Sequence, residues 1–242
     1  MLVVLGLSLG RSAVYSVLSL ADKLTKEVPL AQQTTSINTS ATPERPWLDL
    51  AYQLANLVFP LMPVVLVFYL MWVWQRPHGG PFRRMGFDLR RPGFDLGVGS
   101  LAFAGIGAGG ILLYLAAREL GFNTTVAAAN LAEAWWTIPV LVLRAVMNGV
   151  LEEVVMVGYL FTRWRQAGGR TATVLVGSAL IRGAYHLYQG FGGFTGNLIM
   201  GLLFGWLYLR TKRVMPLVVV HSLLDIAAFV GYALLKPHLS WL

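Results

Sequence analysis

The sequence predicts an all-α fold, a polytopic membrane helix bundle with six to seven transmembrane helices, and three observations carry that expectation. Of its 242 residues, 56% are hydrophobic and only 12% are charged, about half the charge of a soluble domain; the mean hydropathy is +0.63. Apolar stretches recur at lengths near the roughly 20 residues that one helix needs to cross a hydrocarbon core. Basic residues, which give the chain a net charge of +8, fall in short clusters between those stretches. That placement marks topology determinants and argues against a nucleic-acid groove. The chain has no cysteine, which excludes disulfides, thiolate metal ligands and a cysteine nucleophile.

In chain order, residues 1–21 form an apolar stretch interrupted by Arg11. It lacks the basic start and the small-residue cleavage site of a signal peptide, so a retained helix is expected. Residues 22–49 are rich in Thr, Ser, Asn and Pro without an apolar period and read as an extracytoplasmic linker. Six candidate spans follow at roughly 50–75, 95–117, 137–161, 171–190, 193–209 and 214–236. Residues 1–49 are therefore expected as an N-terminal helix with its polar linker, and 50–242 as one membrane-embedded bundle. No room is left for a soluble domain.

Arg76, Arg83, Arg84, Arg90 and Arg91 lie in one connection, Arg163, Arg165 and Arg170 in another, and Arg210, Lys212 and Arg213 in a third. The intervening connections hold only Arg118 and, at the far end, Lys236. This alternation predicts that the three basic connections are cytoplasmic in a multi-pass protein of the cell membrane.

The ionisable residues inside the spans are Arg144, Glu152, Glu153, Arg182, His186, His221 and Asp225, all on the fourth, fifth and seventh helices counted from residue 1. An acid at bilayer depth is costly and marks a functional site by default. Glu152 and Glu153 are adjacent, about 100° apart on a helix, so one carboxylate is expected to react and the other to support it. Arg182 and His186 are spaced four apart, as are His221 and Asp225, so each pair shares a helix face. Two such pairs aimed at two carboxylates form the base, orienter and electrophile set that water attack on a carbonyl requires. Arg144 reads as a supporting residue.

The runs EEVVMVGYL (152–160), RGAYHLYQG (182–190), GLLFGWLYLRT (201–211) and VMPLVVVHSLLD (214–225) resemble the CPBP family. That family comprises the CAAX-protease and bacteriocin-processing intramembrane proteases, also called type II CAAX prenyl endopeptidases or the Abi family. The resemblance covers roughly 135–230, with a motif core at 137–230. The family pattern is Glu-Glu-x-x-x-Arg, then Phe-x-x-x-His, then His-x-x-x-Asn/Asp. It places Glu152 and Glu153 as the paired acids, His186 as the second motif's histidine, and His221 with Asp225 as the third motif.

The resemblance implies an endopeptidase that hydrolyses a peptide bond of a membrane-anchored substrate, including prenylated CAAX-type ones. It implies Glu152 as base for water, His186 assisting, and His221 with Asp225 stabilising the oxyanion. Val157 stands where the pattern has arginine and Arg182 where it has phenylalanine, which suggests that the cation of the first motif has moved to Arg182, opposite Glu153. A divalent metal such as zinc is an open expectation, with Glu152, His186 and His221 as its ligands, beside a metal-free route. The rival reading is a non-catalytic scaffold or self-immunity protein that binds a peptide or lipidated partner in the same cavity.

Overall fold

The computed structural model of the chain describes residues 1–74, 80–236 and 238. Arg76 of the first basic cluster lies outside them. A short turn of helix, α1 (Leu2–Gly6), precedes α2 (Leu9–Leu24); α3 (Pro46–Val58) passes through a 3-10 turn at Phe59–Leu61 into α4 (Met62–Trp74). Then come α5 (Gly80–Met85), α6 (Pro92–Glu119), α7 (Thr137–Glu152), α8 (Leu160–Gln166), α9 (Thr171–Ala184), α10 (Phe191–Thr211) and α11 (Met215–Leu235). Prolines in the first turn open α3, α6 and α11, where the missing N–H breaks no helix bond.

Among the described residues, four helices are long and apolar enough to cross a membrane: Pro46–Val73, Pro92–Glu119, Phe191–Thr211 and Met215–Leu235. This is an all-α integral membrane protein, but the span count falls below the six expected. The two segments that fall short carry Arg144, Glu152, Glu153, Arg182 and His186 of the polar cluster. The stretch read as 137–161 is α7, a π-helical segment at Glu153–Tyr159, and α8 in sequence. The stretch read as 171–190 is an α-helix only to Ala184, after which Tyr185 and His186 leave the helix and a 3-10 turn runs Leu187–Gln189. His186 therefore does not share a helix face with Arg182, as the spacing of four predicts. Its position in the turn shortens the helix that the span template lengthened.

The polar linker is more ordered than its composition implies. Strand β1 (Thr34–Ser36) pairs in parallel with β2 (Thr125–Ala127), Thr35 opposite Val126, a use of β-branched residues where the chain leaves the helices. The Thr35 and Thr124 hydroxyls meet at 2.6 Å in the interior. α2 is tied to the bundle as well: the Tyr188 amide donates to Ser16 Oγ at 2.6 Å, and Lys23 Nζ donates to the Tyr188 carbonyl.

Beside the basic clusters, Arg213 joins three segments. Its Nε and Nη2 donate to the two oxygens of Asp95 at 2.7 Å each, and Nη2 donates to both the carbonyl and Oδ1 of Asp88 at 2.9 Å. Gly86 makes this approach feasible. Its φ is +63°, and a Cβ there would stand 2.5 Å from Arg213 Cα. The carboxylates hold the Arg213 guanidinium above its ordinary pKa, chiefly through the hydrogen bonds it donates to Asp95. Burial would raise the Asp88 carboxyl, but the hydrogen bonds from Arg213 and the Arg90 amide hold it below its ordinary value.

Candidate active site

Arg144, Asn148 and Glu152 are spaced i, i+4, i+8 on α7 and so form a polar stripe along one face of an otherwise apolar helix. That face meets α11. Gly149 allows the approach, because a Cβ there would lie 2.8 Å from Ser222 Oγ and 3.2 Å from the Val218 carbonyl. Directly after Glu152 the helix changes to π geometry for residues 153–159, the kind of local widening that recurs at functional sites. Glu152 and Glu153 sit on either side of this change.

The two acids take different environments. Glu153 is fully buried, and its Oε1 accepts from Arg182 Nη2 at 2.5 Å and from His221 Nδ1 at 2.7 Å. Glu152 keeps 12% of its side chain exposed; its Oε2 accepts from the Tyr185 hydroxyl at 2.6 Å and lies 3.6 Å from Arg182 Nη1 and 4.0 Å from His221 Nε2. Arg182 and His221 thus touch both acids at once, each with two of its nitrogens. The Arg182 guanidinium also stacks 5.1 Å over the Phe204 ring.

Glu152, His186, His221, Asp225 and Arg144 all line one cavity of about 690 Å³. Asp225 Oδ2 accepts from Asn148 Nδ2 at 2.9 Å, and its Oδ1 lies 3.9 Å from His221 Nε2. His186 Nδ1 meets the Arg182 carbonyl at 3.0 Å. A carbonyl only accepts, so His186 carries its proton on Nδ1 and has its Nε2 free.

Residues 134–227 match the family model described as type II CAAX prenyl endopeptidase Rce1-like. Over these residues the chain is similar to that family. No curated protein and no solved structure matches the chain. The Rce1-like segment starts just before α7 and ends just after Asp225, so it contains every ionisable residue of the cluster.

The Rce1-like core contains a group with metal-ligand chemistry: donor atoms of Glu152, Glu153 and His221 lie within 4.8 Å of one another. His186, expected among the ligands, is not part of that group. The donor set fits a metal poorly for a reason of charge and occupancy. The Glu153 Oε1 atom and the His221 Nδ1 atom are bonded to each other, and the Arg182 cation already stands against both acids. A dication there would share two carboxylates with a fixed guanidinium.

Sequence reasoning missed two contributors to the Rce1-like cavity. Asn148 went unremarked, although its spacing of four from both Arg144 and Glu152 is visible in the sequence. Leu9, Ser12, Tyr15, Ser16 and Ser19 of α2 also line the cavity. Nothing in the composition of residues 1–21 signals that contact.

Proposed function

We propose that the protein is an intramembrane endopeptidase that hydrolyses a peptide bond of a membrane-anchored substrate with Glu152 as general base. The observation that carries this reading is the division between the paired acids. Glu153 is fixed by two charge-assisted hydrogen bonds, whereas Glu152 borders the cavity with His221, His186 and Asp225 around it. Fixing one carboxylate and exposing the other is what a base and its orienting partner require.

In the proposed reaction Glu152 takes a proton from water as the water oxygen attacks the carbonyl carbon. The tetrahedral oxyanion is met by the Nε2–H of a His221 imidazolium, which the paired acids hold charged and Glu153 orients through Nδ1, and by the free proton of the Asn148 amide. Asp225 accepts from Asn148 and so holds that amide in place, rather than donating to the oxyanion itself. Collapse breaks the C–N bond, and the proton on Glu152 passes to the leaving amine. His186 Nε2 positions the water. The substrate enters from the lipid bilayer, and prenylated CAAX-type proteins are the substrate class that the family suggests. A multi-pass location in the cell membrane, with the basic connections cytoplasmic, completes the reading.

The test is cleavage of fluorogenic membrane-anchored and prenylated peptides by purified protein in lipid. Glu152→Gln should lower the rate by about 10²–10⁴-fold, the usual contribution of a general base, while leaving the melting temperature near that of the wild type. Chelator should leave the rate unchanged. Full activity in Glu152→Gln sinks the mechanism, and loss of activity to chelator moves it to a metal.

A further inference from the structure

α7 and α11 run in opposite directions beside the cavity, and together they fix its depth. α7 starts at Thr137 and continues through the π segment and α8 to the basic connection at 163–170. Arg144, Asn148 and Glu152 line the cavity from α7, the last of them about 22 Å from its start at the helical rise. α11 leaves the basic connection that ends in Arg213, and His221, Asp225 and Phe229 line the cavity about 9–21 Å from its start. On both helices the lining residues begin at Glu152 and His221 and continue away from the basic connections.

In the other direction the chain is closed. Every residue from 153 to 161 is buried, and Val154, Val155, Met156 and Leu160 pack in one core with Met85 and Val214, which lie beside the other two basic connections. Among the described residues, none from 80–91, 163–170 or 210–213 lines the cavity. Its far end is polar by contrast, lined by Asn38 of the linker and by Tyr188 and Gln189 of the 3-10 turn. The linker is pinned there: Arg144 Nη1 donates to Asn38 Oδ1 at 3.2 Å and Nη2 to Gln53 Oε1 at 2.5 Å, and Gln53 Nε2 donates to Asp49 Oδ1 at 3.3 Å. Ser12, Ser16 and Ser19, spaced four and three apart on one face of α2, line the wall between. Water, which the hydrolysis consumes, therefore has a hydroxyl-lined path from the linker side and none through the apolar core below Glu152.

A groove of about 830 Å³ between α2 and the α3–α4 joint shares Leu9, Ser12, Tyr15 and Leu151 with the cavity, so a membrane anchor reaches it sideways. Toward the basic side this groove stops at α1, whose Val4 is buried with Val64, Val67 and Met71 of α4.

We propose that the cavity is entered from the face opposite the basic connections, and that the substrates are exported polypeptides, anchored in the bilayer and cut on their extracytoplasmic side. This rests on the endopeptidase reading of the same cavity and on the cytoplasmic placement of the basic connections. A chain held in the cytoplasm, prenylated or not, meets the closed side. The anchor lies in the groove beside α2, and the cleaved segment runs past Arg144 toward Asn38 and Gln189.

The test uses spheroplasts and inverted vesicles from the same expressing bacteria, which present opposite faces of the protein. The chain has no cysteine, so a membrane-impermeant sulfonated maleimide reports only an introduced one. Glu44→Cys on the exposed linker should label in spheroplasts and Ala167→Cys in inverted vesicles, which fixes the orientation. Leu151→Cys, on the cavity wall next to Glu152, should label in spheroplasts only. Labelling of Leu151→Cys from the Ala167 face, or from neither face, overturns the proposal, as does the reverse orientation of the first two. The unmodified protein gives a second reading that needs no variant. Fluorogenic lipid-anchored peptides with charged ends stay on the side where they are added, and they should be cut at least about tenfold faster on spheroplasts than on inverted vesicles, with the Glu152→Gln protein as background. Equal or faster cleavage on inverted vesicles overturns the proposal even where Leu151→Cys fails to fold. Labelling as expected with no cleavage on either face upholds the route into the cavity and refutes the protease reading alone.

Discussion

Arg213 faces Asp88 and Asp95, and Arg182 faces Glu152 and Glu153. Both are arginines set against two carboxylates in the interior, but they are bonded differently. Arg213 gives two hydrogen bonds to Asp95 and two to Asp88, all between 2.7 and 2.9 Å, and it lines no part of the cavity beside Glu152. Arg182 makes one contact of 2.5 Å with Glu153 and stands 3.6 Å from Glu152, and its Nη1 and Glu153 Oε2 have no hydrogen-bond partner. A saturated cluster of this kind ties chain segments together. The unsaturated one holds Glu153 firmly but reaches Glu152 only at 3.6 Å, so the charge of Glu152 is balanced without a direct hydrogen bond from the guanidinium, which is the condition for proton transfer.

The largest effect is expected at Arg182. Arg182→Met leaves Glu153 buried without its cation, at a cost of about 3–5 kcal/mol by the rule for breaking a buried pair. The melting temperature in detergent should fall by several degrees, and cleavage should be lost as completely as in Glu152→Gln. The double change Arg182→Met with Glu153→Met removes both charges and should recover most of the stability but none of the activity, because His221 then has no orienting acid. A double variant that melts no higher than Arg182→Met would show that the two residues are not energetically coupled.

The sequence displays the intramembrane acids and the order of the motifs, because an acid in an apolar run has no bland surroundings to hide in. It also places Arg182 opposite Glu153 by the logic of one missing cation and one surplus one. It does not reveal the π segment at 153–159, since nothing in EVVMVGY distinguishes i→i+5 from i→i+4 bonding. Nor does it reveal that α9 stops at Ala184, because Tyr185 and Leu187 continue the apolar character after the backbone has turned. The role of residues 1–49 is the least legible part. Asn38, Asp49 and Gln53 lie far from α7 in sequence, and only the tertiary fold brings Asn38 and Gln53 against Arg144.

The opposite cluster sharpens the comparison from the other side. Asp95→Asn weakens two charge-assisted bonds to Arg213 and should destabilise the protein by about 1–3 kcal/mol. The folded fraction should keep kcat within about twofold of the wild type, since the cluster does not border the cavity. Loss of kcat with no change in melting temperature would mean that the two clusters are not divided between stability and chemistry as their bonding suggests.

The smallest effect concerns pH. Asp88 titrates below its ordinary value of 3.8 in the folded protein, because the Arg213 and Arg90 hydrogen bonds outweigh its burial. A depressed acid contributes stability that is fully present above the unfolded pKa and is lost as pH falls through the folded one. Wild-type melting temperature should therefore drop faster than that of Asp88→Asn as pH is lowered below about 4, and the two curves should run parallel above about pH 5. The difference isolates Asp88 from the other acids, which titrate in both proteins. Because the Asp88 side chain is 16% exposed, added salt should shrink the gap. A gap that instead opens above pH 5 would place the coupling on a group with a raised pKa, and Asp88 would then not be the acid that holds Arg213.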